Sequence, residues 1–315
     1  MSETKRITSP VLVLIGPTAI GKTALSLEMA ARFSCEIISM DSMQVYRLMD
    51  IGTAKATVEE RSQVPHYLID IVNPDDQYDA ARFVHDALAA VEEIIKKGKV
   101  PLITGGTGLY LRALLNGLFE EIKVPESLRH ALQLRLEQEG RESLFQEFCR
   151  VDPESSSRIH KNDTQRLLRG LEIFLATGRP WSQHLKEQTK RQPPVHFTRL
   201  LQIGLRTERS ILYDRIKLRT NKMMCPAFQQ EVESLLAGGY GPELSSMQSI
   251  GYRHMVGYLQ GCWDFAAATT SLIQDTRRYA KRQFTWFNRS EDIRWYDVDQ
   301  PAKVLADAEH FLQVE

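Results

Sequence analysis

The sequence predicts an α/β fold, a parallel sheet flanked by helices, interrupted by an all-helical insertion. Three observations lead there. Short apolar runs alternate with stretches of helical period through the first third of the chain, the pattern of consecutive βα units. Two of those runs end in glycine-rich turns, "GPTAIGKT" and "GGTG". From about Val124 the pattern becomes helical alone, until "FTRLLQIGL" returns to a strand.

Taken in order, "PVLVLIG" is a continuous apolar run of strand length, as in a parallel strand covered on both faces. "KTALSLEMAARF" follows with helical spacing, so that Leu25, Leu27, Ala30, Ala31 and Phe33 cover one broad face. "CEIISMDS" is a second strand ending in polar residues, "HYLIDI" a third, and "RFVHDALAAVEEIIKKG" a helix stopped at Gly98. Asp70, within "LIDI", has nothing specific around it and reads as structural. "KVPLITGGTG" repeats the strand-then-glycine pattern, and "LYLRALLNGL" continues as helix. Helices "ESLRHALQLRLEQEG", "ESLFQEFCRVD" and "DTQRLLRGLEIFLATG" fill an insertion assigned to residues 120–192, leaving 1–119 and 193–315 as the core. After the loop "TKRQPPVH" the chain re-enters the sheet over residues 199–205. "RSILYDRIKLRTNKMM", "FQQEVESLLAGG" and "AATTSLIQDTRRYAKRQFTWF" are further helices.

The 315 residues suffice for one large domain or two ordinary ones. Lys and Arg number 40 against 40 Asp and Glu, so net charge makes no case for a nucleic-acid partner. Locally the balance breaks: residues 157–192 and "RRYAKRQFTWFNR" lean basic, and the chain after Ser290 leans acidic. Such asymmetry hints at a polyanionic partner, against the plainer reading of a solvated helix face. Cys35, Cys149, Cys225 and Cys262 are scattered without a CxxC pair, which argues for a reduced intracellular protein with neither disulfide framework nor thiolate metal site. The basic N-terminus runs directly into a buried strand rather than a signal peptide, and no apolar stretch approaches membrane-spanning length. A cytoplasmic protein without membrane contact is expected.

Gly16-x-x-x-x-Gly21-Lys22-Thr23 sits between a strand and a helix, the context in which that spacing makes a phosphate-binding loop. Backbone N–H groups and the helix N-terminus surround an oxyanion, Lys22 adds charge, and the Thr23 hydroxyl helps hold Mg2+. The spacing does not say whose phosphates are held. Asp41 ends the next strand, where it suits either metal coordination or general-base work, and equally an N-cap for the segment after it. "GGTGLY" offers Thr107 at a third strand end as a second wall. Ligands of such sheets bind at the carboxyl ends of the strands. Residues 16–23, 41–44 and 105–107 all fall there.

With "GPTAIGKT", the segments "DSMQVY", "MDIGTAK", "GGTGLYLRALL", "HKNDTQRLLRGLEIFLATG" and "SIGYRHMVGYLQG" with "YAKRQFTWF" resemble the tRNA dimethylallyltransferases, also called tRNA isopentenyltransferases. The six segments occur in the family's order and span about Pro10 to Trp295, nearly the whole chain. The resemblance implies a P-loop kinase-like core whose helical insertion grips the anticodon stem-loop of tRNA. It implies transfer of a dimethylallyl group from dimethylallyl diphosphate to N6 of the adenosine just 3′ of the anticodon, releasing diphosphate with the help of Mg2+. A monomer is expected.

By the same resemblance, Gly16, Pro17, Thr18, Ala19, Ile20, Gly21, Lys22 and Thr23 would hold the diphosphate, and Thr23 the metal as well. Asp41 would be the base for N6, with Thr107 beside it. Asp41, Ser42, Met43 and Gln44, then Gln165, Arg166, Leu167, Leu168 and Arg169, then Lys281, Arg282 and Gln283 within residues 281–288, would contact the tRNA. The chemistry suits these types: arginines and lysines meet phosphates, and the amides of Gln165 and Gln283 read base edges. A purine reaching a buried carboxylate has to leave its stack, so base flipping is expected. Arg215, from its place in "RSILYDRIKLR", is added as a second cation for the diphosphate. Without the resemblance, Arg166, Leu167, Leu168 and Leu171 read as an ordinary amphipathic helix, and Trp286 and Phe287 as core.

The sequence departs from the family pattern in places. Ile20 stands where serine is usual, Gly170 where alanine is usual, and Asn288 where arginine is common; Pro226 and Ala227 precede "EV" where a glycine is usual. Other readings of the loop are a small-molecule kinase or NTPase, an isopentenyltransferase acting on free adenine nucleotides, and a nucleotide-gated RNA-binding protein. The long basic insertion speaks against a free nucleotide as acceptor.

Overall fold

The computed structural model describes residues 5–117, 122, 124–188, 193 and 195–314. The chain forms two compact units, Lys5–Ala113 with Val195–Glu315, and Leu114–Pro194.

Among the described residues the larger unit holds eight strands: β1 Lys5–Ile7, β2 Val11–Ile15, β3 Cys35–Met40, β4 His66–Tyr67, β5 Val100–Gly105, β6 Val195–Phe197, β7 Leu200–Arg206 and β8 Ile293–Asp297. Six of them form one sheet in the order β4-β3-β5-β2-β7-β8, and β1 pairs with β6 separately. Every pairing is parallel. All five residues of β2 are buried, as its unbroken apolar run requires of a central strand. The register decides where function can sit. Ile15 lies opposite both Gly105 and Gly204, and Met40 opposite Gly105, so the turns after β2, β3 and β5 leave the sheet at one level. A Cβ at Gly105 would lie 2.1 Å from the Met40 carbonyl oxygen, so glycine allows β3 and β5 to end side by side.

The expected strand "HYLIDI" is cut to His66–Tyr67. Leu68 and Asp70 take left-handed φ values of 62° and 57°, which no ladder accommodates. What holds them is an ion-pair cluster: the Asp70 carboxylate meets Lys55 at 2.6 Å and Arg61 at 2.6 Å, and the Lys55 side chain is buried. Asp70 is therefore structural, as read. The edge strand β8 and the short pair β1–β6 lack the long apolar run that announces a strand, and sequence patterning misses them.

The helical unit contains the helices Glu126–Val151, Pro153–Ser156, Thr164–Thr177 and Trp181–Gln188. Its contacts extend the expected 120–192 outward on both sides, to Leu114–Pro194. The borders at 119, 120 and 192, and residues 189–192 and 194 of the loop "TKRQPPVH", lie outside the described residues. Gly140 breaks the first helix with φ 79°, so the two helical patterns read there are two helices joined end to end. The helix Thr164–Thr177 starts where the Asp163 carboxylate accepts the Arg166 N–H at 3.1 Å and stops at Gly178 with φ 70°. Leu132, Leu144, Phe148, Leu167 and Leu171 form its core. Gly170 has a packing reason: a Cβ there would lie 2.3 Å from the Phe148 ring. Among the described residues, no helix is long and apolar enough to cross a membrane.

Candidate active site at the carboxyl ends of the sheet

The loop after β2 leads into the helix Lys22–Phe33, whose N-terminus at Gly21 (φ 111°) carries no side-chain cap. Its first N–H groups have no carbonyl one turn behind them, so the helix opens as an anion-binding end. Lys22 Nζ donates to the Gly16 and Pro17 carbonyls at 2.9 Å each, which folds the loop around its own cation. The Ile20 side chain is buried in the core of the unit, so a residue lacking a hydroxyl is accommodated there.

Asp41 follows β3. Its Oδ1 accepts the Met43 N–H at 2.8 Å and the Gln44 N–H at 3.3 Å, so the carboxylate caps the turn that follows the strand. Thr107 stands behind this turn, its Oγ1 accepting the Ser42 N–H at 3.2 Å. It thus braces the turn that carries Asp41. Gln44 points inward, its Oε1 accepting from Ser39 Oγ at 3.1 Å.

Two arginines of one helix reach the phosphate loop at different points. Arg215 Nη1 donates to the Ile20 carbonyl at 3.0 Å from the rear of the loop, in a cavity shared with Glu28 and Asp297. One helical turn later on the same helix, Arg209–Met223, Arg219 reaches the front and donates to Thr18 Oγ1 at 3.3 Å. Sequence reading passed over Arg219; its i+4 spacing from Arg215 was the available signal. Burial lowers the Arg219 guanidinium from its ordinary value while the Asp41 charge opposes that. Desolvation brings the Lys22 ammonium down to about 8, Asp41 raising it and Arg219 lowering it further.

Two cavities of about 280 and 310 Å³ adjoin here. Both are walled by Thr18, Ala19, Asp41, Thr53, Arg219 and Tyr279. Gly21, Lys22 and Thr23 line only the first. Ser42, Met43, Arg253 and Arg282 line only the second, over an apolar floor that includes Ile216, Met223 and Leu272. Tyr279 is kept a neutral phenol, first by burial and then by the Asp41 charge, with Thr107, Arg282 and Gln283 pulling the other way.

The remaining sequence candidates divide. Lys281 and Arg282 are exposed on the helix Phe265–Phe287. Gln283 is buried beside the first cavity, its Oε1 accepting the Thr18 N–H at 2.9 Å and its Nε2 donating to the Gly106 carbonyl at 2.8 Å. Phe287 is core, as the residues alone suggested, and Trp286 covers Gly108. In the helical unit, Gln165 and Arg166 are exposed, with Arg166 held by Asp163, while Arg169 pairs with Glu172 at 3.1 Å. Leu167 is completely buried and Leu168 packs against the same core, so these two leucines hold the helix rather than offer it.

The match to the IPP transferase family covers residues 44–290, well over half of the chain. The chain belongs to the IPP transferase family. Among its IPP transferase relatives, the tRNA dimethylallyltransferase of Desulfotalea psychrophila is 50% identical over 301 residues, 96% of this chain and 95% of that protein. The tRNA dimethylallyltransferase 2 of Syntrophus aciditrophicus is 45% identical, covering 97% of each. The crystal structure of full-length tRNA isopentenylpyrophosphate transferase from Bacillus halodurans superposes with a TM-score of 0.69 at 36% identity, over 99% of this chain and 97% of that one. A eukaryotic dimethylallyltransferase acting on tRNA gives 0.75 at 28% identity, over 96% and 78%. The chain is thus a transferase. For an IPP transferase that uses a divalent ion, the donors at hand are the Thr23 hydroxyl and the Asp41 carboxylate in one cavity wall, hard oxygens of the kind Mg2+ takes. Among the described residues no group of three His, Cys, Asp or Glu side chains forms a metal cage. This donor set fits an ion that arrives on phosphate oxygens.

Proposed function

We propose that the protein transfers a dimethylallyl group from dimethylallyl diphosphate to N6 of the adenosine just 3′ of the anticodon in tRNA. The observation that carries this reading is the position of Asp41 in the wall common to two cavities, one reaching Gly21, Lys22 and Thr23 of the phosphate loop, the other reaching Arg253 and Arg282 over an apolar floor. The diphosphate lies in the first, against the helix N-terminus, Lys22 and Arg219. The flipped adenine enters through the second, where Arg253 and Arg282 meet its backbone phosphates. The N6 lone pair attacks the allylic carbon, the C–O bond breaks with its electrons going to diphosphate, and Asp41 takes the N6 proton. An amine conjugated with a purine ring is a poor nucleophile, so proton removal as the bond forms is what a carboxylate contributes. Lys22, Arg219 and the loop N–H groups stabilise the charge that grows on the leaving group. Mg2+ held by Thr23 and the diphosphate oxygens would add to that neutralisation. Arg166 and Arg169 of the helical unit and Lys281 supply further phosphate contacts to the RNA.

The test is incubation with dimethylallyl diphosphate and tRNA, and separately with ATP, followed by nucleoside mass spectrometry and phosphate release. Dimethylallyl adenosine in the tRNA alone is the expected product. Phosphoryl transfer from ATP without prenylation would overturn the reading, and equal prenylation of free AMP would overturn the acceptor.

A pH dependence follows from Lys22. At about 8 the free protein begins to hold a neutral amine, whereas the bound diphosphate favours the ammonium. Above that pH, binding has to take up a proton, so affinity falls as pH rises, by up to about tenfold per unit. Below it the amine is already charged and affinity is flat. Calorimetric titration with dimethylallyl diphosphate between about pH 7 and about 9.5, where its own phosphates stay ionised, checks the break.

A further inference from the structure

The helix Phe265–Phe287 presents Lys281 and Arg282 to solvent and the Gln283 amide to the interior. That amide joins two turns that leave neighbouring strands. Its carbonyl takes the Thr18 N–H of the phosphate loop at 2.9 Å, and its NH2 gives to the Gly106 carbonyl after β5 at 2.8 Å. The fit is close on the second side: a Cβ at Gly106 would lie 2.1 Å from Gln283 Nε2. A side chain at Gly106 would therefore have to displace the Gln283 amide from its place between the turns.

We propose that Gln283 is a positioning residue that sets the distance between the two walls of the active site. One wall, the loop from Gly16 to Thr23, carries Lys22 and meets Arg219 through Thr18. The other, the turns at Asp41 and Gly106–Thr107, carries the base, Thr107 being joined to the Asp41 turn through Ser42. Donor and acceptor are held on opposite walls, so the length of the forming C–N bond depends on this gap, and an error of about 1 Å in such a placement costs on the order of 10²-fold. The inference deepens the prenyl-transfer reading and rests on it for the identity of the reacting groups. The wall-to-wall link itself does not depend on that identity.

Four variants test it: Gln283→Met, which keeps the volume and loses both hydrogen bonds; Gln283→Ala; Gly106→Ala; and the double variant Gly106→Ala with Gln283→Ala. Expected for Gln283→Met is a fall in kcat of about tenfold or more, with the KM for tRNA unchanged. Inorganic diphosphate, titrated calorimetrically, should bind more weakly to it than to the wild type. Gly106→Ala should be impaired because its methyl displaces the amide, and the double variant should be more active than Gly106→Ala alone, because removing the amide frees the space the new methyl needs. A Gln283→Met protein with normal kcat and diphosphate affinity but a raised KM for tRNA would make Gln283 an RNA contact and overturn the proposal. So would a double variant no better than Gly106→Ala. If Gln283→Met fails to fold, the comparison of Gly106→Ala with the double variant still decides. If the wild type prenylates nothing, the function reading fails, while the diphosphate titrations continue to report on the link.

Discussion

Asp41→Asn lowers the rate of prenyl transfer to tRNA by about 10²–10⁴-fold, the contribution typical of a positioned general base. Asparagine is the informative replacement because Asp41 has two tasks. Its Oδ1 accepts the Met43 and Gln44 N–H groups, and the asparagine carbonyl can accept both. The turn that carries Ser42 and Met43 is then preserved, and only basicity is lost. Alanine removes both tasks, so a larger defect in Asp41→Ala would measure the turn rather than the chemistry. Single-turnover prenylation read by nucleoside mass spectrometry, with tRNA binding measured in parallel, separates them. Affinity for tRNA is expected to stay within a few-fold of wild type. An Asp41→Asn protein that retained more than about a tenth of the wild-type rate would remove the carboxylate from the proton transfer.

Arg219→Ala lowers kcat/KM for dimethylallyl diphosphate by about 10²–10³-fold, the range for one lost donor to a developing oxyanion in a desolvated site. Arg215→Ala, four residues earlier on the same helix, loses only its bond to the Ile20 carbonyl. A hydrogen bond to a charged donor of that kind contributes roughly 1.5–3 kcal/mol to stability. Arg215→Ala should therefore show a lowered melting temperature and a modest change in donor KM, with kcat little altered. Steady-state kinetics with varied donor at saturating tRNA, together with thermal melts, distinguish the pair. The reverse ranking, with Arg215→Ala the more damaging to kcat, would return the diphosphate contact to Arg215 and place Arg219 in a supporting role.

Much of the scaffold was legible. The helix Lys22–Phe33 begins and ends where its pattern does, and the two helical patterns around Gly140 are separated by that residue's left-handed backbone. These features are local: apolar runs, glycine turns and caps act within a few residues of where they are written. The strand "HYLIDI" fails by the same measure. Its pattern is that of a strand, but Asp70 is drawn to Lys55 and Arg61, and the backbone at Leu68 and Asp70 follows. The site residues divide similarly. Glycines and Lys22 of the loop, Asp41 and Thr107 sit at strand ends and could be found from strand ends alone. Arg219 and Gln283 could not, because each lies on a helix whose orientation is set by what packs against it.

By itself the sequence determined that three turns with phosphate-binding, carboxylate and hydroxyl chemistry follow three parallel strands, and it carries the family's segments in order. Only the tertiary structure decided which side chain of each helix serves those turns. A helix rises about 5.4 Å per turn, so Arg215 and Arg219 share a face and still arrive at opposite sides of the loop. A neighbouring residue points about 100° away, so Arg282 lines the second cavity while Gln283, next to it, bonds to the turns after two strands. Periodicity gives the face and the spacing, and the packing of that helix against the sheet gives the level.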